Sequence, residues 1–228
     1  MSDLTSFDVT SAVETPAPNL QPEHFVTFET GVKTAQSNVS GSAALWYTIL
    51  DGTIVRSPTG EVIDDTPVVR KDNVGDGWMW GWEVEAAWRL RPAWTAFGNA
   101  SWMEGQVDQI DPDTGRLVRS WLSRQKPFTL LAGLRYEPPR GRGWAQVDVS
   151  FSARADRLSL RDRTDTSRIP PDGTPGWTNV ALRGGWRVGD DVRLGLSLEN
   201  LLDENYRIHG SGQNEPGLNV VFTCDLDM

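Results

Sequence analysis

Ala145-Gln146-Val147-Asp148-Val149-Ser150-Phe151-Ser152-Ala153 is the stretch that decides the fold. Its odd positions are apolar and its even positions polar. On a β-strand successive side chains point to opposite faces, so this segment has one greasy face and one wet face. The rhythm recurs in both directions from there. Val192, Leu194, Leu196 and Leu198 oppose Arg193, Ser197 and Glu199. Val180, Leu182, Trp186 and Val188 oppose Asn179, Arg183 and Arg187. Phe128, Leu130, Ala132, Leu134 and Tyr136 oppose Thr129 and Arg135, and Trp82, Val84, Ala86, Trp88 and Leu90 oppose Glu83, Glu85 and Arg89.

Nine segments carry this pattern: 24–33, 38–50, 79–90, 93–104, 127–137, 143–155, 177–188, 191–202 and 216–226. Strands of soluble proteins usually run about 5–6 residues, whereas a tilted membrane-crossing strand needs roughly 9–11. The connections alternate in length. Segments 34–37, 91–92, 138–142 and 189–190 are tight, while 51–78, 105–126, 156–176 and 203–215 read as long polar loops. Short turns on one rim and long loops on the other are the habit of outer-membrane barrels. Trp88, Trp94, Tyr136, Trp144 and Trp186 lie near the short turns, and Trp80, Trp82, Trp102 and Trp177 near the long loops. Two aromatic belts suit two membrane–water interfaces. The competing assignment is core tryptophan in a soluble or secreted β-sandwich that binds a ligand, with the aliphatic face dry and the polar face in water.

Composition agrees with many strands and no spanning helix. The 228 residues are 38% hydrophobic, with 11 Trp, 22 Gly and 14 Pro. No apolar run reaches the 18 residues of a transmembrane helix, which does not argue against a barrel. A net charge of −9 argues against a nucleic-acid partner, which needs a basic face. The single Cys224 excludes an intrachain disulfide and a cysteine-rich zinc site. Residues 1–22, with Pro16, Pro18 and Pro22, read as an irregular segment, an outside loop of a larger barrel whose wall runs over 23–228. Met1-Ser2-Asp3-Leu4 lacks the basic and apolar regions of a signal peptide.

The polar phase collects Glu29, Lys33, Glu83, Glu85, Arg89, Asp148, Arg183, Arg187, Arg193 and Glu199. Charges inside a narrow closed barrel are costly, so these require a wide, hydrated or plugged lumen. Arg183, Arg187 and Arg193 are expected to pair with Asp148 and Glu199 rather than to dock a plug. Bacterial single-chain barrels have even strand counts, so nine strands read as part of a larger wall.

The most specific feature is Asn200-Leu201-Leu202-Asp203-Glu204-Asn205-Tyr206, followed by Pro216-Gly217-Leu218. It resembles the C-terminal signature of TonB-dependent receptors, in which an N-L-hydrophobic-D-x-x-Y strand end leads to a Pro-Gly opening the last strand. Pro22-Glu23 with Phe28-Glu29-Thr30-Gly31-Val32-Lys33 is similar to that family's P-E … Y-E-x-G-x-K strand, and Gly81-Trp82-Glu83-Val84-Glu85 to its G-x-E-x-E strand. The three matches fall in the family's order. The residue types also have local readings: Asp203 and Asn205 suit a turn, Pro216 suits a strand start, and Gly217 permits a bend.

The resemblance implies an antiparallel transmembrane barrel in the outer membrane of a Gram-negative-type cell, with 22 strands around an N-terminal plug. It implies uptake of a scarce nutrient, an iron–siderophore complex or a cobalamin, driven by TonB through a box ahead of the plug. Neither box nor plug is legible here. The chain is therefore expected to supply the last strands, to contact TonB only through the portion it lacks, and to transport nothing alone. Met1 then reads as an internal start, or as the product of a truncated or split gene. One departure is the end, Phe222-Thr223-Cys224-Asp225-Leu226-Asp227-Met228, where an apolar Met228 stands on the outward phase in place of an aromatic, which predicts less efficient assembly.

No catalytic set is legible, so an enzyme barrel is not expected, and the terminal motif speaks against a general porin. Only His24 and His209 occur. His209 is the candidate ligand contact, though an exposed loop histidine is the plainer reading. Asp108, Asp111 and Asp113 hint at calcium but lack EF-hand spacing, so a hairpin turn is expected, and the 64–76 stretch with Asp64, Asp65, Asp72 and Asp76 is expected to be solvated loop. No nucleotide-binding loop, cofactor site or metal site is indicated.

Overall fold

The computed structural model describes residues 8–9 and 13–226; Met1 and Met228, on which two of the expectations above fall, lie outside them. The strands are β1 (Asp8–Val9), β2 (Val13–Thr15), β3 (His24–Ala35), β4 (Val39–Ile63), β5 (Thr66–Arg91), β6 (Trp94–Ile110), β7 (Leu117–Trp121), β8 (Thr129–Tyr136), β9 (Gly143–Ser152), β10 (Trp177–Val188), β11 (Val192–Glu199) and β12 (Asn219–Leu226). One short helix, α1 (Leu160–Thr164), interrupts the series. All twelve strands belong to one sheet. Nine of them, β3, β4, β5, β6, β8, β9, β10, β11 and β12, pair antiparallel in a single row. The row is not closed, and β3 and β12 are its edges.

The registers keep one phase across the whole row. Phe28 pairs with Tyr47, Tyr47 with Trp80, Trp82 with Trp102, Leu130 with Phe151, Leu182 with Leu198, and Leu196 with Phe222. A pleated sheet puts paired residues on the same side, so these registers gather the apolar positions onto one face. Nothing covers that face among the described residues: Phe28 is 63% exposed, Trp186 59% and Phe222 66%. A soluble sandwich would bury it against a second sheet.

The long rim departs from the sequence expectations in three places. Residues 51–78 are not a loop. β4 and β5 continue as a two-stranded ribbon to a tight turn at Asp64 and Asp65, which both take positive φ. Gly52, Pro58 and Gly60 obscure the alternation there, and the ladder carries irregularities at Leu50/Thr53, Thr53/Ile54 and Pro58/Val62. Residues 1–22 are not wholly irregular, because β2 pairs parallel with β5 at Val68–Arg70. The third departure is α1, whose Ser159 and Asp162 form a capping box. The expected turn at 111–116 does close a hairpin, β6 to β7, with Asp111 Oδ1 accepting from the amides of Asp113 (2.8 Å) and Thr114 (3.3 Å).

Several of the smallest exposures belong to the rim. Ile169 is 1% exposed and Asn200 2%, with Ser159 and Asp162 equally enclosed. Segments 122–128, 153–176 and 200–218 pack on one another there.

Candidate functional site: the polar face and the loop collar

The polar face carries a continuous chain of side chains across β8 to β11. Arg135 Nε donates to Glu137 (2.9 Å) and its Nη1 to Gln146 (3.4 Å); Gln146 Nε2 donates to Asp148 (2.9 Å). Arg183 donates to Asp148 from Nη1, and to Glu199 from Nε (3.0 Å) and Nη2 (2.6 Å). The expected pairing of the arginines is thus realised at Arg183. Arg187 and Arg193 face each other in register closer to the turns, with Asp225 opposite Arg193.

Two tryptophans assigned to the belts lie on this polar face instead. Trp144 pairs with Gly185 and Trp177 with Ser152, in phase with Asp148. Arg135 stacks over the Trp144 ring at 4.1 Å, and Trp177 packs on Tyr206 with centroids 4.4 Å apart. Nearness to a turn identified their height but not their side; the pairing register does that. The remaining belt residues hold the apolar side. Trp94 contacts Tyr136 at 4.8 Å near the turns, and Trp80 contacts Trp102 at 4.8 Å near the loops.

The motif residues occupy three places. Glu29, Gly31 and Lys33 stand on edge strand β3, in register with Trp46, Ala44 and Ser42. Gly81 and Glu83 stand on β5, and a Cβ at Gly81 would come within 2.6 Å of both the Trp46 ring and the Trp102 carbonyl. Only glycine lets that indole lie across the strand. The terminal motif fastens a loop. Asn200, at positive φ, donates from Nδ2 to the carbonyls of Glu204 (2.9 Å) and Pro216 (3.0 Å) and accepts from the Glu204 amide (3.1 Å). The Leu201 amide bonds the Val180 carbonyl (2.9 Å). Asp203 Oδ1 accepts from the Leu218 amide (2.9 Å), and a Cβ on Gly217 would crowd that oxygen at 2.5 Å. The Tyr206 hydroxyl accepts from Asn179 Nδ2 (2.9 Å).

Above the wall, Asp162 ties segment 122–128 to segment 153–176. Its carboxylate accepts from Ser123 Oγ (2.8 Å), from the Arg124 amide (3.1 Å) and from the Ser159 amide (3.1 Å). Sequence reasoning missed this residue, although Ser159-x-x-Asp162 is a legible capping pattern. His209 is not an exposed loop histidine. Its Nδ1 lies 2.8 Å from Thr174 Oγ1, and its Nε2 is buried with no hydrogen-bond partner. Burial holds its pKa below the ordinary imidazole value; Asp162 opposes that shift and Arg124 adds to it. Among the described residues no group of three or more His, Cys, Asp or Glu side chains is placed to hold a metal ion.

Comparison with known proteins fits this geometry. The family profile described as "TonB dependent receptor-like, beta-barrel" matches residues 3–201. No curated protein sequence matches. Among solved structures, the copper transporter OprC superposes with a TM-score of 0.71 at 18% identity, over 91% of this chain and 32% of its own. The FrpB iron transporter from Neisseria meningitidis (F3-3 variant) gives 0.72 at 15%, over 94% and 33%. The ferric-catecholate import receptor Fiu from K12 E. coli gives 0.67 at 18%, over 92% and 28%. The chain spans about a third of the length of the transporters it matches. An open row of long antiparallel strands, greasy outside and charged inside, is what one arc of such a wall must be, and the chain belongs to the TonB-dependent receptor β-barrel family, a group of transporters and not of enzymes.

Proposed function

We propose that residues 23–228 form one arc of an outer-membrane receptor wall, that residues 1–22 belong to its outside loops, and that the complete receptor takes up an iron–siderophore complex or a comparably scarce nutrient such as a cobalamin. The observation that carries this is the two-sidedness of the open sheet. The apolar face runs from Trp94 and Tyr136 to Trp102 and Phe128, eight residues along β6 and along the β8 register. For strands tilted about 40° that is about 20 Å of height, close to the roughly 25 Å apolar band of such barrels. Two of the three superposed proteins are named as an iron transporter and a ferric-catecholate import receptor and the third as a copper transporter, which favours a metal complex, iron foremost, as cargo.

Strand parity supports the need for a complement. Nine alternating strands leave β3 and β12 running in the same direction, so the row closes on itself only through a parallel seam. A remainder with an odd number of strands gives antiparallel seams at both edges, and the roughly 22 strands of large transporters leave about 13. Plug and TonB contact belong to that remainder, and the arc alone is not transport-competent. His209 reaches a ligand only when the loops around Thr174 part.

The test is expression of the chain with and without a co-expressed barrel remainder, followed by outer-membrane fractionation and gel migration before and after boiling. A heat-modifiable species that needs the remainder supports the reading. A cooperative, detergent-free soluble monomer overturns it.

A further inference from the structure

Across β6, β8 and β9 the apolar face ends on its loop side in Trp102, Phe128 and Phe151, with Trp82 beside them; Trp82–Phe128 centroids are 6.0 Å apart and Phe128–Phe151 6.1 Å. Just beyond that row lies a hollow of about 160 Å³, lined by Trp102, Phe128, Lys126, Arg154 and Arg157. It borders the apolar side of the wall, because Trp102 on β6 pairs with Trp82, and Trp121 on β7, whose ring also holds Arg157, pairs with Gln106, in the same outward phase. Arg157 is fixed between two indoles, its guanidinium carbon 5.8 Å from the Trp102 centroid and 5.1 Å from that of Trp121, and it forms an ion pair with Glu104. Arg154 is exposed and bonds the Asp172 carbonyl from Nη2 at 2.6 Å. Lys126 is exposed, with no ion pair among the described residues.

We propose that this hollow binds the phosphate of an outer-leaflet lipid headgroup, whose acyl chains run down the apolar face below Phe128. Basic groups placed directly above an aromatic girdle sit at the depth where lipid phosphates lie. With Glu104 matched to Arg157 and Asp156 the remaining carboxylate on the lining, the hollow keeps a net positive charge in a chain whose overall charge is −9. Its side excludes transported cargo, which would travel along the polar face. The site rests on the outer-membrane reading above.

The whole chain is diluted from denaturant into vesicles of phosphatidylcholine, with or without one fifth phosphatidic acid, and binding is read by flotation. Net repulsion by charge alone disfavours the anionic vesicles. Two basic contacts should reverse this to roughly tenfold tighter binding. Lys126→Ala with Arg154→Ala should abolish the preference. Lys126→Arg with Arg154→Lys, and Arg116→Ala on the distant β6–β7 turn, should keep it. Equal binding to both vesicles, or a preference that survives the double alanine variant, overturns the proposal while leaving the barrel standing. Competition by millimolar inorganic phosphate overturns the lipid assignment in favour of a free-anion site. Failure to enter either vesicle even when the barrel remainder is refolded together with the chain overturns the barrel reading and this site together.

Discussion

Glu199 receives two hydrogen bonds from the Arg183 guanidinium, at 3.0 and 2.6 Å, and the same guanidinium reaches Asp148 on β9, the strand on the other side of it. Asp148 is almost fully buried, while Arg183 and Glu199 keep about a third of their side-chain surface. Removing the arginine strands a buried carboxylate, which in a dry interior costs about 3–5 kcal/mol. Partial exposure lowers that here. Arg183→Ala should destabilise the folded arc by about 2 kcal/mol, read as a shift in urea unfolding in vesicles. Adding Asp148→Asn and Glu199→Gln should recover part of the loss. No recovery would mean that the charges are solvated independently.

The loop collar should depend on Asp162. Its replacement by Ala removes half of a capping box and leaves the part-buried donors of Ser123 and Arg124 without their acceptor. About 2 kcal/mol of local stability should be lost. The readout is limited proteolysis, with new cleavage within 153–176 while the strands stay protected. Unchanged loop protection counts against the staple.

The collar should also loosen in acid. The folded pKa of His209 is lowered chiefly by burial, so the unfolded loop takes up a proton first as pH falls through about 6.5. Stability is unaffected above that value and declines below it until the folded imidazole also protonates. Protection of the amides in segments 168–176 and 206–212, taken relative to their intrinsic exchange rates, should fall as pH drops from 7.5 to 5.5. His209→Gln should flatten the response, and a slope that persists in this variant places the titration elsewhere.

Glu14 secures the protruding ribbon. Its carboxylate contacts Arg56 at 2.9 Å from β4 and Lys71 at 2.9 Å from β5, beside the three-residue parallel pairing of β2. Glu14→Ala should detach β2 and expose Arg56 and Lys71 to trypsin, at about 1 kcal/mol for partly exposed pairs. Wild-type resistance in the variant would mean that the β2–β5 backbone bonds suffice.

The wall was legible because a membrane-facing sheet writes its two environments at alternate positions, and Val147 or Leu196 can be assigned a side without knowing any neighbour. The three matched motifs fixed the family for the same reason: they are local. What stayed hidden needed partners from afar. The ribbon over 51–78 was masked by Gly52, Pro58 and Gly60, whose irregularities a paired strand absorbs. Trp144 and Trp177 were placed by height alone, and their inward side follows from registers with Gly185 and Ser152. Asp162 and His209 gain their meaning from Ser123, Arg124 and Thr174, which lie about 35–40 residues away in sequence.

The burial of Ile169 and Asn200 in the collar, against the bare apolar wall, determines where this protein tolerates sequence drift. Lipid moulds itself to any apolar surface, so an outward Val, Leu or Phe has no shape to match and exchanges with little effect. Collar residues meet fixed neighbours and have no such freedom. A wall that asks only for greasiness at every second position keeps its form through near-complete turnover of its residues. That freedom accounts for folds superposing at TM-scores near 0.7 on chains only 15–18% identical.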